Sequence, residues 1–441
     1  MAQEPESTAK RAELPMRLTR LRVKNFRSIA DIDIPLSPLT VLVGPNGSGK
    51  SNVVDALRFV RDVFARGLDQ AVMDREGMGV IQRWGTEGIT IGVTIELEKI
   101  IRWKHGEPFV KEPSAIIEHE FLCKELDDKK IVIKNECVRV VLEGGESFSI
   151  CLRGALSVVR IGGIAVEYSE ENFDAALASN QVLQGPKALF SIAEVVLYND
   201  EKWVSDYMPI HTPILEQIES SVIRVEKVFN SLLFYTLNPA DLRQPQQILK
   251  EMPFDEKGRN LAAVLRKLSR DKGDNWGNLR FALRQTIAGF DDIAIETVGG
   301  YLATQLVYQT DHAEIRTSYL GQESDGTIRM LGLLAALQQE PSQPLVCIEE
   351  PEANIHPGAL AVLAGVIDEA SLRSQILVTT HSPDMLDHLP VESFLVVEKV
   401  GDTTHVGPLN ASQIASVRKR LFTPGELFRM EGLQRQTESA S

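Results

Sequence analysis

The chain is poor in cysteine, has no long apolar run and is short of positive charge, and each lack closes off a class of protein. Four cysteines stand at positions 123, 137, 151 and 347 with no Cys-x-x-Cys pair. That spacing suggests neither a zinc site nor a disulfide framework, and reduced intracellular thiols are expected. No apolar stretch reaches the length of a membrane span, and Met1 to Met16 is too polar for a secretory signal. A cytoplasmic protein with no membrane partner is expected. Lys and Arg number 47 against 61 Asp and Glu, for a formal net charge of -14. Wholesale coating of nucleic acid is thereby excluded, and only a local basic groove remains open. Internal repeats, low-complexity blocks and sustained heptads are also missing, so no long coiled-coil arm is expected.

What is present is ordinary globular composition, 43% hydrophobic and 24% charged over 441 residues, enough for a large core and two or three domains. One stretch stands out. Gly44-Pro45-Asn46-Gly47-Ser48-Gly49-Lys50-Ser51 follows the apolar run Leu39 to Val43 and precedes a helix-like segment, Asn52 to Arg66, with Val53, Leu57, Val60 and Phe64 on one face. The order strand, glycine-rich loop, helix is that of a phosphate-binding loop. Its glycines let backbone amides of Asn46, Gly47, Ser48 and Gly49 turn inward, and the helix adds its positive N-terminal end. Lys50 can reach the β and γ phosphates of ATP, and the Ser51 hydroxyl can ligate the accompanying Mg2+.

Around this loop, Leu21 and Val23, then Ile32 and Ile34, alternate with charged residues as two short strands between Leu18 and Leu36, with Asn25-Phe26-Arg27-Ser28 between them. Ile89 to Leu97 has the period-two pattern of a half-buried strand. Further strands at Ile116 to Leu122, Ile131 to Leu142, Ser147 to Leu152 and Ile164 to Tyr168 make an antiparallel meander. Composition then shifts toward helix. Ile214, Ile218, Val222, Val225 and Phe229 form one apolar stripe, and Leu261, Val264, Leu265 and Leu268 form another. The second helix carries Arg259, Arg266, Lys267 and Arg270 opposite its apolar face, either a solvated face or a ridge for the phosphates of double-stranded DNA.

The last third holds buried runs of parallel-sheet type at Leu345 to Ile348, Gln375 to Val378 and Phe394 to Val397. The first ends in Glu349-Glu350-Pro351-Glu352. Acids at the carboxyl end of such a strand can meet the magnesium of a bound nucleotide, or can be a solvated turn after a core strand. With a phosphate loop upstream the first alternative leads: Glu349 to magnesium, Glu350 as general base for the attacking water. His381, at the end of the next buried run, can hydrogen-bond a γ phosphate. A rival metal set of His381, Asp384, Asp387 and His388 is loosely spaced, and Asp384 is explained as an early-turn acid. Ser324-Asp325-Gly326-Thr327 opens another helix, as a second anion-binding end or as an ordinary N-cap.

In this order the motifs resemble the ABC-type ATPase heads of the SMC, RecF and OLD-nuclease group, AAA family ATPases of the AAA_21 type. Asn25 to Ser28 looks like the group's opening motif, Gly44 to Ser51 its Walker A loop, and Ser324 to Thr327 a variant of its signature. Leu345 to Glu350 is similar to Walker B with the catalytic glutamate, Asn354-Ile355-His356-Pro357 to the D-loop, and His381 to the switch histidine. The resemblance implies an α/β fold, a P-loop NTPase core with an antiparallel β subdomain, plus a helical lobe. The expected division is a disordered tail over 1–16, the N-terminal half of the head with its β meander over 17–174, a helical lobe over 175–285, and the C-terminal half over 286–441.

It also implies two heads closing over two ATP molecules, in a dimer or higher homo-oligomer. Ser324 and Gly326 of one copy would meet the γ phosphate held by Lys50 of the other, with Arg27 contributing to the nucleotide site. Three departures are visible: Glu349 and Asp325 replace the more usual Asp and Gly, and no clear Q-loop glutamine is present beyond Gln82. OLD nucleases carry a Toprim domain after the head, whereas about 60 residues follow His381 without an Asp-x-Asp cluster. Nuclease action in cis is therefore not expected. Compact heads of this kind resemble the ATPase subunits of two-gene defence systems, which control a separate nuclease or toxin effector, and DNA repair is the companion role. The alternative is a regulatory scaffold that holds nucleotide with negligible turnover. A transporter subunit fits poorly with the meander, and a small GTPase lacks its Asn-Lys-x-Asp motif.

Overall fold

A computed structural model describes residues 16–98, 100–104, 107–112, 114–126, 129–142, 145, 147–153, 156–161, 164–168, 225, 229–247, 252–309 and 314–436. The expected tail before residue 16 and the stripe residues Ile214, Ile218 and Val222 lie outside them. The chain divides into two compact units, one comprising described residues 235–346 and 354–376, the other the remainder.

The second of these carries a long sheet. Its strands are β1 (Met16–Phe26), β2 (Ile29–Pro35), β3 (Leu39–Val43), β4 (Ile89–Leu97), a separate hairpin of β5 (Ile100–Lys104) and β6 (Glu107–Glu112), then β7 (Ala115–Glu125), β8 (Ile131–Leu142), β9 (Ser147–Arg153), β10 (Leu156–Ile161), β11 (Ile164–Tyr168) and β12 (Leu233–Tyr235). Further along the chain come β13 (Gln246–Gln247), β14 (Phe290–Val298), β15 (Tyr301–Gln309), β16 (Ile315–Tyr319), β17 (Leu345–Glu349), β18 (Gln375–Thr380), β19 (Phe394–Val400) and β20 (Thr403–Pro408). The sheet order is β11-β10-β9-β8-β7-β4-β1-β2-β20-β19-β3-β18-β17-β12. Its first half is the antiparallel meander, with β7, β8 and β9 paired in sequence. Its second half changes character: β3 runs parallel to β19 and is buried at all five positions, as a strand covered on both faces must be. In β1 the alternation of buried and open residues slips between Leu18 and Arg20, where its register against β4 shifts, and Leu18, Leu21, Val23 and Phe26 all stay inside.

The other unit packs the helices Leu261–Asp271, Asp274–Thr286, Asp325–Gln338 and Leu360–Ala370 with a small sheet in which β15 pairs β14, β13 and β16. Periodicity does not foresee this sheet. Its hairpin has a sequence signal, the pair Gly299-Gly300 at φ 57° and 85° between Val298 and Tyr301, which form the closing pair. The apolar stripe Leu261, Val264, Leu265 and Leu268 is buried as expected, and Phe229 stacks on Phe64 at 4.2 Å.

One expectation fails. Cys137 and Cys151 stand opposite each other on β8 and β9 and are joined by a disulfide, so the four thiols are not all free. The pairing is a product of strand register, which spacing rules for adjacent cysteines do not see. Cys123 and Cys347 are free and buried, and burial pushes the Cys123 thiol up to about 12. Among the described residues no helix is long and apolar enough to cross a membrane.

Behind the helix Lys50–Arg66 lies a buried ion network. Arg75 points Nε at Asp55 (3.0 Å), Nη2 at Asp62 (2.9 Å) and Nη1 at the Ala71 carbonyl (2.9 Å), and its guanidinium covers the Phe59 ring. Arg61 and Arg66 reach the same Asp62 carboxylate. Each nitrogen of the Arg75 guanidinium has a partner, so removal of one member leaves charges stranded away from water. Arg75→Ala should cost about 3–5 kcal/mol of stability, read as a lowered urea midpoint with an unchanged slope, whereas truncation of the exposed Arg20, paired to Asp33 at the surface, should shift it little.

Candidate functional site

The phosphate loop is shaped by what presses on it. Gly44 approaches β19 so closely that a Cβ would lie 2.2 Å from the Val397 carbonyl oxygen. Gly49, at φ 105°, leaves 2.1 Å between such a Cβ and Thr404 Oγ1 on β20. Only glycine fits either place. Thr404 Oγ1 donates to the Ser48 carbonyl at 2.9 Å and closes the loop from below. Pro45, Asn46 and Gly47 are exposed, while Ser48 is buried with its hydroxyl unpartnered. Lys50 begins the helix and is only 6% exposed; its Nζ donates to the carbonyls of Gly44 (2.8 Å) and Pro45 (3.1 Å). Burial draws its pKa below the ordinary lysine value, and the charges of Glu350 and Glu352 pull it back. Ser51 is exposed at the helix start.

The Asn25 to Ser28 motif docks on the first turns of that helix. Asn52 donates to Ser28 Oγ at 2.6 Å, and Arg27, at φ 51°, holds Asp55 with Nε at 3.0 Å and Nη2 at 2.8 Å. Thr404 links the two segments through Ser28 Oγ at 2.7 Å. Nothing in the sequence pattern marks Thr404, because its role exists only once β20 lies beside β2.

β3, β18 and β17 are neighbours in that order, so the carboxyl ends of the acidic strand and the histidine strand lie side by side next to the phosphate loop's strand. Glu350 leaves β17 with φ 47°, a strained conformation for a side-chain-bearing residue, fixed by its amide donating to Thr379 O at 3.0 Å and Thr379 Oγ1 at 3.2 Å. His381 Nδ1 lies 3.1 Å from Glu350 Oε1, within ion-pair reach though without hydrogen-bond alignment. Glu352, absent from the expected set, belongs here: its side chain is 8% exposed, Oε1 accepts from Thr380 Oγ1 at 2.6 Å and from the His381 amide at 3.4 Å, and Oε2 is buried without a partner. Glu349 Oε1 lies 3.5 Å from Arg58 Nη2, so the carboxylate expected on magnesium is shared with a guanidinium.

Hard oxygen donors of this kind suit a divalent cation that also takes phosphate oxygens. Ser51 and Glu349 are the ligands expected for it, and Glu352 offers one further unpartnered oxygen. Among the described residues no cluster of three or more His, Cys, Asp or Glu could hold a metal by itself. The rival set around His381 is spent otherwise, with Asp384 on Arg429 and Asp387 accepting from the Gly425 amide at 2.6 Å.

The signature residues belong to the other unit. Ser324 caps the helix Asp325–Gln338, its Oγ accepting from the Thr327 amide at 3.2 Å. Gly326 lies against the D-loop: a Cβ there would come 2.5 Å from the Asn354 carbonyl oxygen. His356 in that loop accepts the Gly358 amide on Nδ1 at 3.1 Å and so caps the turn that follows. Gln82 is engaged locally at both ends of its carboxamide, donating to Thr86 O and accepting from the Gly88 amide. On the basic ridge, Arg259 forks onto Asp255 at 3.1 and 3.0 Å, Lys267 donates to Glu340 O at 2.8 Å and Arg270 lies 3.6 Å from Asp271. Arg259 and Arg270 are thus paired with carboxylates within the fold.

Residues 16–141 match a family described as "AAA ATPase domain", and residues 169–387 one described as "AAA domain, putative AbiEii toxin, Type IV TA system". The chain is 58% identical over 43 residues to the OLD nuclease of Thermus scotoductus, 10% of this chain and 8% of that protein. It is 57% identical over 47 residues to the chromosome partition protein Smc of Halothermothrix orenii, 10% of this chain and 4% of that protein. With the DNA replication and repair protein RecF of Chlorobium phaeobacteroides it shares 35% over 98 residues, 20% and 26% of the two chains. The aligned segments thus span about a quarter or less of these relatives. A solved SMC head bound to the C-winged helix domain of ScpA covers 90% of this chain and 99% of its own at 14% identity, with a TM-score of 0.47. One family match spans the phosphate loop and the other the acidic strand and His381, in agreement with the motif order, and the chain carries an ABC-type ATPase head similar to those of SMC, RecF and OLD proteins.

Proposed function

We propose that this head is a magnesium-dependent ATPase that closes over ATP with a second copy of itself and controls a separate effector, a nuclease or toxin, in anti-phage defence or DNA repair. One observation supports the chemistry above all others. A buried lysine under a phosphate loop is within electrostatic reach of Glu350 and Glu352, and His381 lies 3.1 Å from Glu350. ATP phosphates would draw Lys50 Nζ off the carbonyls of Gly44 and Pro45, which now stand in for them. Glu350 would take a proton from the water that attacks the γ phosphorus, and His381 beside it would steady that water and the departing phosphate. Bound magnesium would supply charge neutralisation for the phosphates. The signature of the second copy, Ser324 capping a helix whose N-terminal end is positive, would complete the phosphate shell.

The effector role draws on the relatives: a family description that names a toxin system and an OLD nuclease segment. Double-stranded DNA is a weaker candidate partner, given the pairing of Arg259 and Arg270 with carboxylates of the same fold. The regulatory-scaffold alternative has its own support in Glu349, which sits beside Arg58 at 3.5 Å.

Lys50→Ala should abolish ATP binding measured by equilibrium dialysis. Glu350→Gln should retain binding and lower phosphate release about 10²–10⁴-fold, the usual worth of a general base. It should also accumulate as an ATP-bound dimer in light scattering. Turnover undiminished in Glu350→Gln would remove Glu350 from the role of base.

A separate measurement divides the two functional readings. The ATPase reading expects steady phosphate release that Lys50→Ala removes and that the effector or double-stranded DNA changes. Tight nucleotide binding with no release above the Lys50→Ala background, with or without DNA, would favour the scaffold.

A further inference from the structure

Asp325 is the first residue of the signature helix, the place where the resembled heads carry glycine. A carboxylate in a first turn suits a helix, whose N-terminal end is positive, but it opposes any phosphate that comes to the same end. The fold answers that charge. Arg243 Nη2 lies 2.6 Å from Asp325 Oδ1 and donates to the Glu323 carbonyl at 3.0 Å, so one guanidinium grips both sides of Ser324. Asp325 is 56% exposed and Arg243 31%, which places the pair at the surface where the helix begins.

Arg243 is not a chance neighbour. The segment before it is laid along the signature helix: Arg329 Nη1 donates to the Leu237 carbonyl, and Leu242 sits so close to Gly332 that a Cβ there would be 2.9 Å from Leu242 Cδ1. The short helix Pro239–Leu242, capped by Asn238, then aims Arg243 at the helix start. Two contacts along the signature helix and the Asn238 cap fix the direction in which the arginine points.

We propose that Arg243 is a positioning residue for the signature: it neutralises Asp325 and holds the Glu323–Asp325 backbone so that Ser324 can receive the γ phosphate of ATP carried by a second copy. The inference rests on the ATP-sandwiched dimer proposed above. Without the arginine, the helix start meets the polyphosphate with an uncompensated carboxylate on it.

The test uses the full chain with Glu350→Gln, in which hydrolysis is blocked, and reads two quantities: ATP affinity at protein concentrations too low for association, and the protein concentration for half-dimerisation at saturating ATP. Arg243→Ala should raise the second by about tenfold or more, the loss expected of one charge-assisted pair, while the first stays within about twofold. Arg243→Lys should restore part of the loss. Adding Asp325→Gly to Arg243→Ala should restore dimerisation, because the charge that needed an answer is gone. Asp325→Gly alone should dimerise at least as well as its parent, a result that does not depend on how well Arg243→Ala folds. Dimerisation unaltered in Arg243→Ala, or a double variant as impaired as the single, would overturn neutralisation by Arg243. Failure of the Glu350→Gln parent to dimerise with ATP would overturn the sandwiched dimer itself, and this role for Arg243 with it.

Discussion

A single buried ammonium governs the construction of the phosphate loop. Lys50 has been taken largely out of water, and an ammonium in that position needs oxygen around it. The loop supplies two carbonyls and the strand ends supply the charges of Glu350 and Glu352. For those carbonyls to lie over the lysine, the loop must be pressed onto β19 and β20, and that pressure is why Gly44 and Gly49 admit no side chain. The sheet order then matters for the same reason, since β18 and β17 must follow β3 for their acids and histidine to face the loop.

Arginine is used in this protein chiefly as an internal fastener. Arg27, Arg58, Arg61, Arg66 and Arg75 all meet carboxylates around the helix that begins with Lys50. The helix cannot rotate without stranding some of these charges, so the network holds Lys50 and Ser51 in the direction the loop needs. Arg243 does comparable work for the signature helix in the other unit. With so many cations spent inside, the net charge of -14 describes a surface on which acids predominate. Contact with a polyanion has to be local, as it is at the phosphate loop.

Several features are legible in the sequence because they are local. The phosphate loop, its helix and the buried runs at 345, 375 and 394 follow from glycine placement, apolar period and strand-ending acids within about ten residues. The meander is legible for the same reason, since β4, β7 and β8 alternate over most of their length. The small sheet of β14, β15 and β16 is not, although Gly299-Gly300 announces its hairpin; its strands bury only scattered residues such as Ile293, Leu302 and Leu306, and their outer positions read as irregular.

The sequence by itself determined which residues are candidates for the chemistry: Lys50 and Ser51 after the glycines, Glu349 and Glu350 after a buried strand, His381 after the next, and Ser324 before a helix. Only the tertiary structure decided how they are held. Glu352 turning inward to Thr380, Thr404 closing the loop, Arg58 sharing Glu349, Arg243 answering Asp325 and the Cys137–Cys151 disulfide all join residues far apart in sequence or set by register. The physical reason is range. Propensity, capping and loop chemistry act over one or two turns of chain, whereas partners for a buried charge are chosen by whichever strands and helices the packed core brings alongside.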